Sequence, residues 1–328
     1  MRYLLNSSTN PYFNLALDEY ALKHIDVGED YFFLWQNSPA VIIGKNQVAQ
    51  DEINRDFIDK NAIKIARRVS GGGAVYHDWG NLNFTIITNI ADSSKVDYHK
   101  YTKPVIAALA EMGVKAELSG RNDILIDGLK ISGNAQRQAG GRLMHHGTLM
   151  FDVNLETLVA ALNVSQDKIS SKGLKSVKSR VTNIKEHLPT GTTLEQFWEQ
   201  LQYQLSNKGQ DKEIILSSNQ LSEIERNATE RFGTWQWIYG TAPRFTYRNS
   251  QRFSGGLVDV LIEVIDGKIA TIRFLGDYLG VNDVEEIEKA LINVKYEITE
   301  IKKILEEYII TSYFGLITMA EILSIIID

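Results

Sequence analysis

The chain has no cysteine, which excludes disulfides, thiolate metal sites and any mechanism that passes through an enzyme thioester. Histidine is scarce as well, at six residues, and no His-Glu-x-x-His pair occurs among them. His145 and His146 are adjacent, so on a strand they point to opposite faces and cannot share one metal. A structural metal site is therefore not expected. No apolar run approaches the length of a membrane span. The opening MRYLLNSSTN has one arginine and no extended apolar core, unlike a secretory signal. The expected location is the cytoplasm, with no membrane partner. Positive charge is also short: a formal net charge of −6 argues against bulk affinity for nucleic acid. Internal repeats and low-complexity segments are missing too.

What is present suits a globular chain, with 44% hydrophobic and 23% charged residues. At 328 residues it exceeds one ordinary core, so a large and a small domain are expected. The spacing of Leu15, Leu17, Ala21, Leu22 and Ile25 predicts a core-packed helix over 14–25. Residues 31–36 and 40–44 read as strands, followed by a short helix near 52–60 and a strand over 62–69. A strand over 82–88 and a helix over 98–112 come next. In "NDILIDGLKISGNAQR" (122–137), Asp127-Gly128 between two apolar runs predicts a two-residue type I′ hairpin. A strand over 143–153 and helices over 155–162 and 193–206 complete the first part. The pattern is α+β, without regular βαβ alternation. The polar stretch 240–252 reads as a linker. Beyond it lie a hairpin turning at Asp266-Gly267 and helices near 283–293, 297–310 and 318–327.

The most informative run is "RRVSGGGAVYHDWGNLNFT" (67–85). It is not a Walker loop, because no Gly-Lys-Ser/Thr follows the glycines. Tyr76 stands where a dinucleotide fingerprint needs its third glycine. Two readings remain: a tight turn with solvated arginines, or an anion nest with Arg67 and Arg68 at its mouth. Lys130, between Leu129 and Ile131, is either a solvent-face lysine or a cation held against a charged ligand. "KISGN" after the turn would let a ligand approach the backbone. His77 and His146 are weak candidates for general bases, since a lone histidine is more often structural. Ser165 and Lys168 match Ser-x-x-Lys by chance, for no companion motif is present. The segment 168–180 is cationic and acid-free: a solvated loop, or a dock for an acidic partner or phosphate.

Four stretches in order, "RRVSGGGAVYHDWGNLNF", "GRNDILIDGLKISGNAQR", "HHGTLMFDVNL" and "KGLKSVKSRVTNI", resemble the lipoate–protein ligases of the lipoate-salvage type. The resemblance extends over the whole chain, including the C-terminal accessory domain of the long form. In the tail, "YFGLIT" carries Leu316 where the family has a small residue. The resemblance implies the biotin/lipoate ligase type of fold, a large mixed sheet with a smaller α+β domain. It also implies a catalytic lipoate- and ATP-binding domain over 1–246 and an accessory domain over 250–328.

The implied reaction has two steps. Lipoate and ATP give lipoyl-AMP, and the lipoyl group then passes to a lysine of a carrier. That carrier is a lipoyl domain of a 2-oxoacid dehydrogenase complex or the glycine cleavage carrier. ATP and Mg²⁺ enter as substrate and activator, and no tightly bound prosthetic group is implied. By motif, Lys130 would be the catalytic lysine, contacting both the lipoyl carbonyl and the α-phosphate. Arg68, Gly73, Ala74, Val75 and Tyr76 would bind the nucleotide. Gly71, Gly72, His146, Gly147 and Thr148 would line the lipoate site. Asn83, Asn122 and Asp123 would complete it, with Asp123 a contact for Mg²⁺. The segment 168–180 would close over the fragile mixed anhydride to exclude water. The rivals are a lipoyl or octanoyl transferase, whose usual thioester the missing cysteine disfavours, a biotin ligase, and a nucleotide-binding regulator without catalysis.

Overall fold

A computed structural model describes residues 1–25, 28–90, 97–120, 122–162, 180–210, 212–240 and 247–327. The chain begins with β1 (Arg2–Leu4), α1 (Pro11–His24), β2 (Tyr31–Trp35) and β3 (Ala40–Ile43). The expected single helix near 52–60 is two short ones, α2 (Ala49–Glu52) and α3 (Arg55–Lys60). Then come β4 (Lys64–Arg67), β5 (Val75–His77), β6 (Asn81–Asn89) and α4 (Tyr98–Glu111). A run of antiparallel strands follows: β7 (Glu117–Ser119), β8 (Asp123–Ile126), β9 (Leu129–Ala139) and β10 (Arg142–Met150). The large unit closes with α5 (Leu155–Ala161), α6 (Leu194–Leu205), β11 (Glu213–Ile214), α7 (Ser218–Asn227) and α8 (Trp235–Tyr239).

Local chemistry sets several of these boundaries. Asn10 caps α1 by accepting from the Tyr12 N–H, Pro11 opens it, and Lys23 and His24 sit in its last turn. Asp127 (φ 50°) and Gly128 (φ 77°) are both left-handed, as a type I′ turn requires, and they fix the β8–β9 register.

Eight strands form a mixed sheet in the order β11-β1-β2-β6-β10-β9-β8-β7. One face packs on α4 and α6 through Phe84, Ile86, Val105, Leu109, Phe197 and Leu201. The other face, with Phe33, Trp35 and Met144, is covered by Leu15 and Leu22 of α1 and by a second sheet, β4-β3-β5. Thus β2 and β3, neighbours in sequence, belong to different layers.

The small unit is a sheet of β12 (Tyr247–Phe253), β13 (Gly256–Ile265) and β14 (Lys268–Gly276) under four helices. These are α9 (Glu285–Leu291), α10 (Ile298–Leu305), α11 (Ile310–Phe314) and α12 (Met319–Ile327), with a core of their own. The stretch read as a linker is corrected here: 247–253 is an edge strand whose side chains mostly face outward. Leu316, the departure in the tail, is exposed. Among the described residues no helix is long and apolar enough to cross a membrane.

The two units touch closely. The Gly276 N–H donates to the Asn46 carbonyl at 2.7 Å, and the Gln138 N–H to the Val281 carbonyl at 2.8 Å. Asp283 takes Lys45 Nζ at 2.5 Å and an Arg137 Nη at 2.8 Å. Burial alone would raise the Asp283 carboxyl, but Arg137 and Lys45 outweigh it and hold the group far below its ordinary range.

Candidate active site

Strand register lays one row of residues across the large sheet. Trp35 opposes Asn83, Asn83 opposes Thr148, and Asp123 opposes Gly133. The Gly133 N–H donates to Thr148 Oγ1 at 3.1 Å, which joins the two halves of the row. Four strand spacings separate Trp35 from Asp123, roughly 19 Å. Over this row lies a cavity of about 300 Å³. Its roof is the segment from Gly72 to Val75, with Arg68 and His77; its floor includes Asn83, Ala135, His146, Gly147 and Thr148. Asn122, Asp123 and Lys130 stand at one end, and Leu15, Trp35 and Ile42 line the apolar part.

Lys130 is the second residue after the hairpin turn, beside a register shift at Ile124/Leu125. Its Nζ lies 2.8 Å from Asp123 Oδ1, with each side chain about a third exposed (35% and 34%). An ion pair that open is worth little to stability, so its partner can be exchanged for a ligand. Gly133 leaves the room: a Cβ there would come within 3.0 Å of Lys130 Nζ. The Lys130 backbone is pinned on its other edge, donating to the Arg180 carbonyl at 2.8 Å and accepting from Thr182 at 3.1 Å. The described end of the cationic segment therefore sits beside Lys130. Residues 168–179, the rest of the expected closing loop, lie outside the described residues.

The arginines require a correction. Arg67 does not stand at the mouth. It is turned into the core, where it donates to the carbonyls of Gly44, Lys45, Gln47 and Ile238. Arg68 does reach the cavity, but its donors are engaged with the loop itself. They go to the carbonyls of Ile42 (3.1 Å), Gly71 (2.7 Å) and Gly73 (2.8 Å) and to Ser70 Oγ (3.2 Å). Burial lowers the Arg68 guanidinium to about 10, which still leaves it charged at neutral pH. Arg68 thus braces the glycine loop from within, and its positive charge acts on the cavity at short range.

The glycine segment is shared with the small unit. The Gly72 N–H donates to the Tyr278 carbonyl at 3.1 Å, and a Cβ on Gly71 would meet that same oxygen at 2.6 Å. Gly71 and Tyr76 are the two expected site residues that do not line the cavity. Gly71 packs on the small unit. The Tyr76 side chain points to the far side of its strand, into the cluster of Val41, Ile43, Ala49 and Met150. All the other expected residues are brought together on one wall or another.

A buried chain of donors underlies the floor. The directions follow from the fixed donors at one end. Trp35 Nε1–H donates to Thr85 Oγ1 at 3.0 Å, and the Thr85 hydroxyl to Asp18 Oδ1 at 2.7 Å. His146 Nδ1 meets Asp18 Oδ2 at 2.7 Å, and His146 Nε2 meets Ser70 Oγ at 2.6 Å. With the carboxylate accepting from Nδ1–H, Nε2 accepts the Ser70 hydroxyl, whose oxygen accepts from Arg68 Nε–H. His145, on the opposite face as its adjacency requires, is buried among Phe84, Tyr98 and Tyr101.

Sequence reasoning missed Asp18, Ser70, Trp35 and Asp277. Asp18 had a signal: it falls on the apolar stripe of α1, three residues after Leu15 and four before Leu22. Asp277 had none, because nothing local ties a residue of the small unit to this cavity. Asp277 brings a side chain of the small unit to the cavity wall.

The model of the lipoyl protein ligase A/B catalytic domain matches residues 10–206, and that of the bacterial lipoate protein ligase C-terminus matches residues 242–326. Lipoate-protein ligase LplJ of Bacillus subtilis is 45% identical over 330 residues, 99% of this chain and 100% of the relative. Lipoate–protein ligase 1 of Staphylococcus aureus is 39% identical over 324 residues, 98% of this chain and 99% of the relative. Among solved structures, P. falciparum LipL1 in complex with lipoate aligns with a TM-score of 0.78 at 25% identity, covering 94% of each chain. A bi-partite lipoate protein ligase of Thermoplasma acidophilum, studied with its E2 lipoyl domain, aligns at 0.66 and 27% identity, covering 75% of this chain and 98% of that one. A lipoate-protein ligase A bound with ATP aligns at 0.63 and 26% identity, covering 73% and 98%.

Proposed function

We propose, for a chain that belongs to the lipoate–protein ligase family, that it activates free lipoate with ATP and passes the lipoyl group to a lysine of a carrier domain. One observation carries the reading. A single cavity has a lysine–carboxylate pair at one end, glycine backbone along its roof and apolar side chains at the other.

In the first step a carboxylate oxygen of lipoate attacks the α-phosphorus of ATP. A new O–P bond forms, the bond to pyrophosphate breaks, and pyrophosphate leaves with the electron pair. Two anions meet in this step, so a cation at the junction stabilises the transition state more than either reactant. Lys130 is that cation, exchanging Asp123 for the carbonyl and α-phosphate oxygens. Gly73, Ala74 and Val75 offer backbone to the nucleotide without bulk, and Arg68 fixes their conformation. Asp123 and Asp277 are the carboxylates on the wall, and among the described residues no group of three metal-ligating side chains gathers. That donor set suits Mg²⁺, which is held by one or two carboxylates together with substrate phosphates. Mg²⁺ bound there would neutralise charge on the phosphates.

In the second step the ε-amine of the carrier lysine attacks the lipoyl carbonyl, the bond to AMP breaks, and the nitrogen loses a proton. The acceptor is a lipoyl domain of a 2-oxoacid dehydrogenase complex or the glycine cleavage carrier. The Thermoplasma ligase studied with its E2 lipoyl domain supports the first. The work divides between a catalytic domain over 1–246 and an accessory domain over 250–328.

Lipoate-dependent release of pyrophosphate separates a ligase from a nucleotide-binding regulator. Lys130→Ala should cut that release by at least about a hundredfold with the fold unchanged by circular dichroism. Lys130→Arg should fail almost as badly, because a planar fork does not fit where a compact ammonium sits. Near-normal release by either variant would remove Lys130 from the chemistry.

A further inference from the structure

A second cavity, of about 360 Å³, lies beside the Lys130 end of the first and is formed between the two units. The large unit supplies Ser119, Asn122 and Asp123 to its wall. The small unit supplies Arg252, Phe253 and Ser254, from the end of β12 and the turn after it. Asn122 and Asp123 line both cavities, so the two share the wall that carries the ion-pair partner of Lys130. Arg252 also lines the space against Gly73 and Ala74, where the roof of the first cavity meets the small unit. Its side chain therefore stands just outside the glycine roof and the Lys130–Asp123 pair.

This arginine is available to a ligand. Among the described residues its guanidinium makes one hydrogen bond, to Asp277 Oδ2 at 3.4 Å, and the side chain is 40% exposed. An ion pair this long and open contributes little to stability. Asp277 keeps a second hydrogen bond, from the Leu257 N–H at 2.6 Å, when Arg252 turns away. The other arginines nearby are committed. Asp259 holds Arg248 through both oxygens, at 3.0 and 2.7 Å, and Arg67 and Arg68 are engaged with backbone carbonyls. Arg252 and Asp277 both belong to the small unit, so exchanging one partner for a ligand leaves the hydrogen bonds between the units in place.

Resting on the ligase reading above, we propose that this second cavity receives the leaving pyrophosphate and that Arg252 binds it there. The apolar end of the first cavity puts the attacking carboxylate on one side of Lys130. In-line displacement then sends the leaving group out on the other side, past Asp123 and toward Arg252. As the bond between the α-phosphorus and the bridging oxygen breaks, negative charge grows on the departing pyrophosphate. A guanidinium already in place stabilises that charge where it develops. The second step releases AMP and holds no pyrophosphate, so the small unit serves activation in particular. A shift of about 0.5 Å breaks the hydrogen bond between Gly72 and Tyr278, and a long arginine side chain follows a movement of that size.

The test is calorimetric titration of the full chain with inorganic pyrophosphate and, separately, with AMP, in the buffer of the release assay. Arg252→Ala should weaken pyrophosphate about tenfold, the size expected for one charge-assisted contact, and AMP by less than about twofold. Arg252→Lys should recover part of the pyrophosphate affinity. In the release assay the alanine variant should lose about a hundredfold in kcat with a smaller rise in KM for ATP, because the charge it meets develops as the bond breaks. A purely structural loss would weaken both ligands alike. Equal losses for AMP and pyrophosphate, or pyrophosphate affinity within twofold of wild type, overturn the proposal. If Arg252→Ala does not fold, Arg252→Gln, which keeps most of the stem and loses the charge, is read by the same criteria. Failure of the wild type to release pyrophosphate with lipoate and ATP would sink the ligase reading, a result distinct from unchanged pyrophosphate affinity in an active enzyme.

Discussion

Asp18 is 1% exposed, so its neighbours have to satisfy both carboxyl oxygens. Thr85 and His146 donate to its two oxygens, and through His146 and Ser70 the carboxylate connects to the Arg68 guanidinium. The guanidinium that braces the glycine loop and the carboxyl group under the floor are thus joined through two intervening side chains. Asp18→Asn keeps the shape but replaces one acceptor by a donor, and Thr85 or His146 must then reverse its hydrogen bond. We expect the variant to lose about 1–3 kcal/mol of stability and pyrophosphate release to fall more than the stability loss explains. Thermal melting beside the release assay checks this; activity equal to wild type would show that the chain of donors does not hold the loop. How far such detail was legible differs by residue. The place of Lys130 on its strand was readable because a two-residue turn fixes it, while its part in the site came from the resemblance alone. The residues alone put Arg67 and Arg68 together at the mouth, and only the carbonyls of Ile238 and Gly44 that hold Arg67 account for its turning away from the cavity.

At the scale of elements, strong local signals read correctly and weak ones did not. The β8–β9 and β13–β14 hairpins followed from Asp-Gly pairs at positive φ. Strand β5, three residues long, gave no periodicity to detect. The helices α7 and α8 were passed over, although Ser217 and Gln220 form a capping box at the start of α7. Strand β12 looked like a linker because an edge strand with outward polar side chains has no apolar alternation. Helix α9 offers a test of element packing. Its Glu288 is buried against β14, accepting from the Phe274 N–H at 2.8 Å, with Arg273 Nε 3.2 Å away. Burial outweighs Arg273 and pushes this carboxyl up from 4.5 to about 7. A raised carboxyl leaves stability intact below its ordinary value and removes it as pH climbs through 4.5 toward 7. The cost above pH 7 is on the order of 3 kcal/mol at most. Glu288→Gln should therefore raise the melting temperature at pH 8 and leave it unchanged at pH 4. Equal melting of the two proteins at pH 8 would mean that Arg273 offsets the burial in full.

At the scale of the whole molecule, the division into two units was legible from length and composition, but their mutual placement was not. Contacts between segments two hundred residues apart leave no trace in local pattern. The interface has a consequence for nucleotide binding. The Gly72 N–H, a natural donor to phosphate, is given to the Tyr278 carbonyl, and the docked position is tied by Asp283 to Lys45 and Arg137. Because those two cations hold the Asp283 carboxyl below its ordinary 3.8, the tie is present above that pH and is lost only in stronger acid. It is therefore constant across physiological pH, and its strength is set by geometry. Whatever binds the Gly72 N–H must compete with Tyr278. Asp283→Asn removes the charge that both cations share, lowers the cost of separating the units and frees that N–H more often. ATP should bind about threefold to tenfold more tightly to the variant than to wild type, because the fraction of competent protein multiplies the intrinsic affinity. Calorimetric titration with ATP in the absence of lipoate measures it, with Glu285→Gln as the control for loss of a more distant charge beside Lys45, at 3.6 Å. Unchanged affinity in Asp283→Asn would mean that the nucleotide does not use the Gly72 N–H, and that the small unit can stay docked throughout.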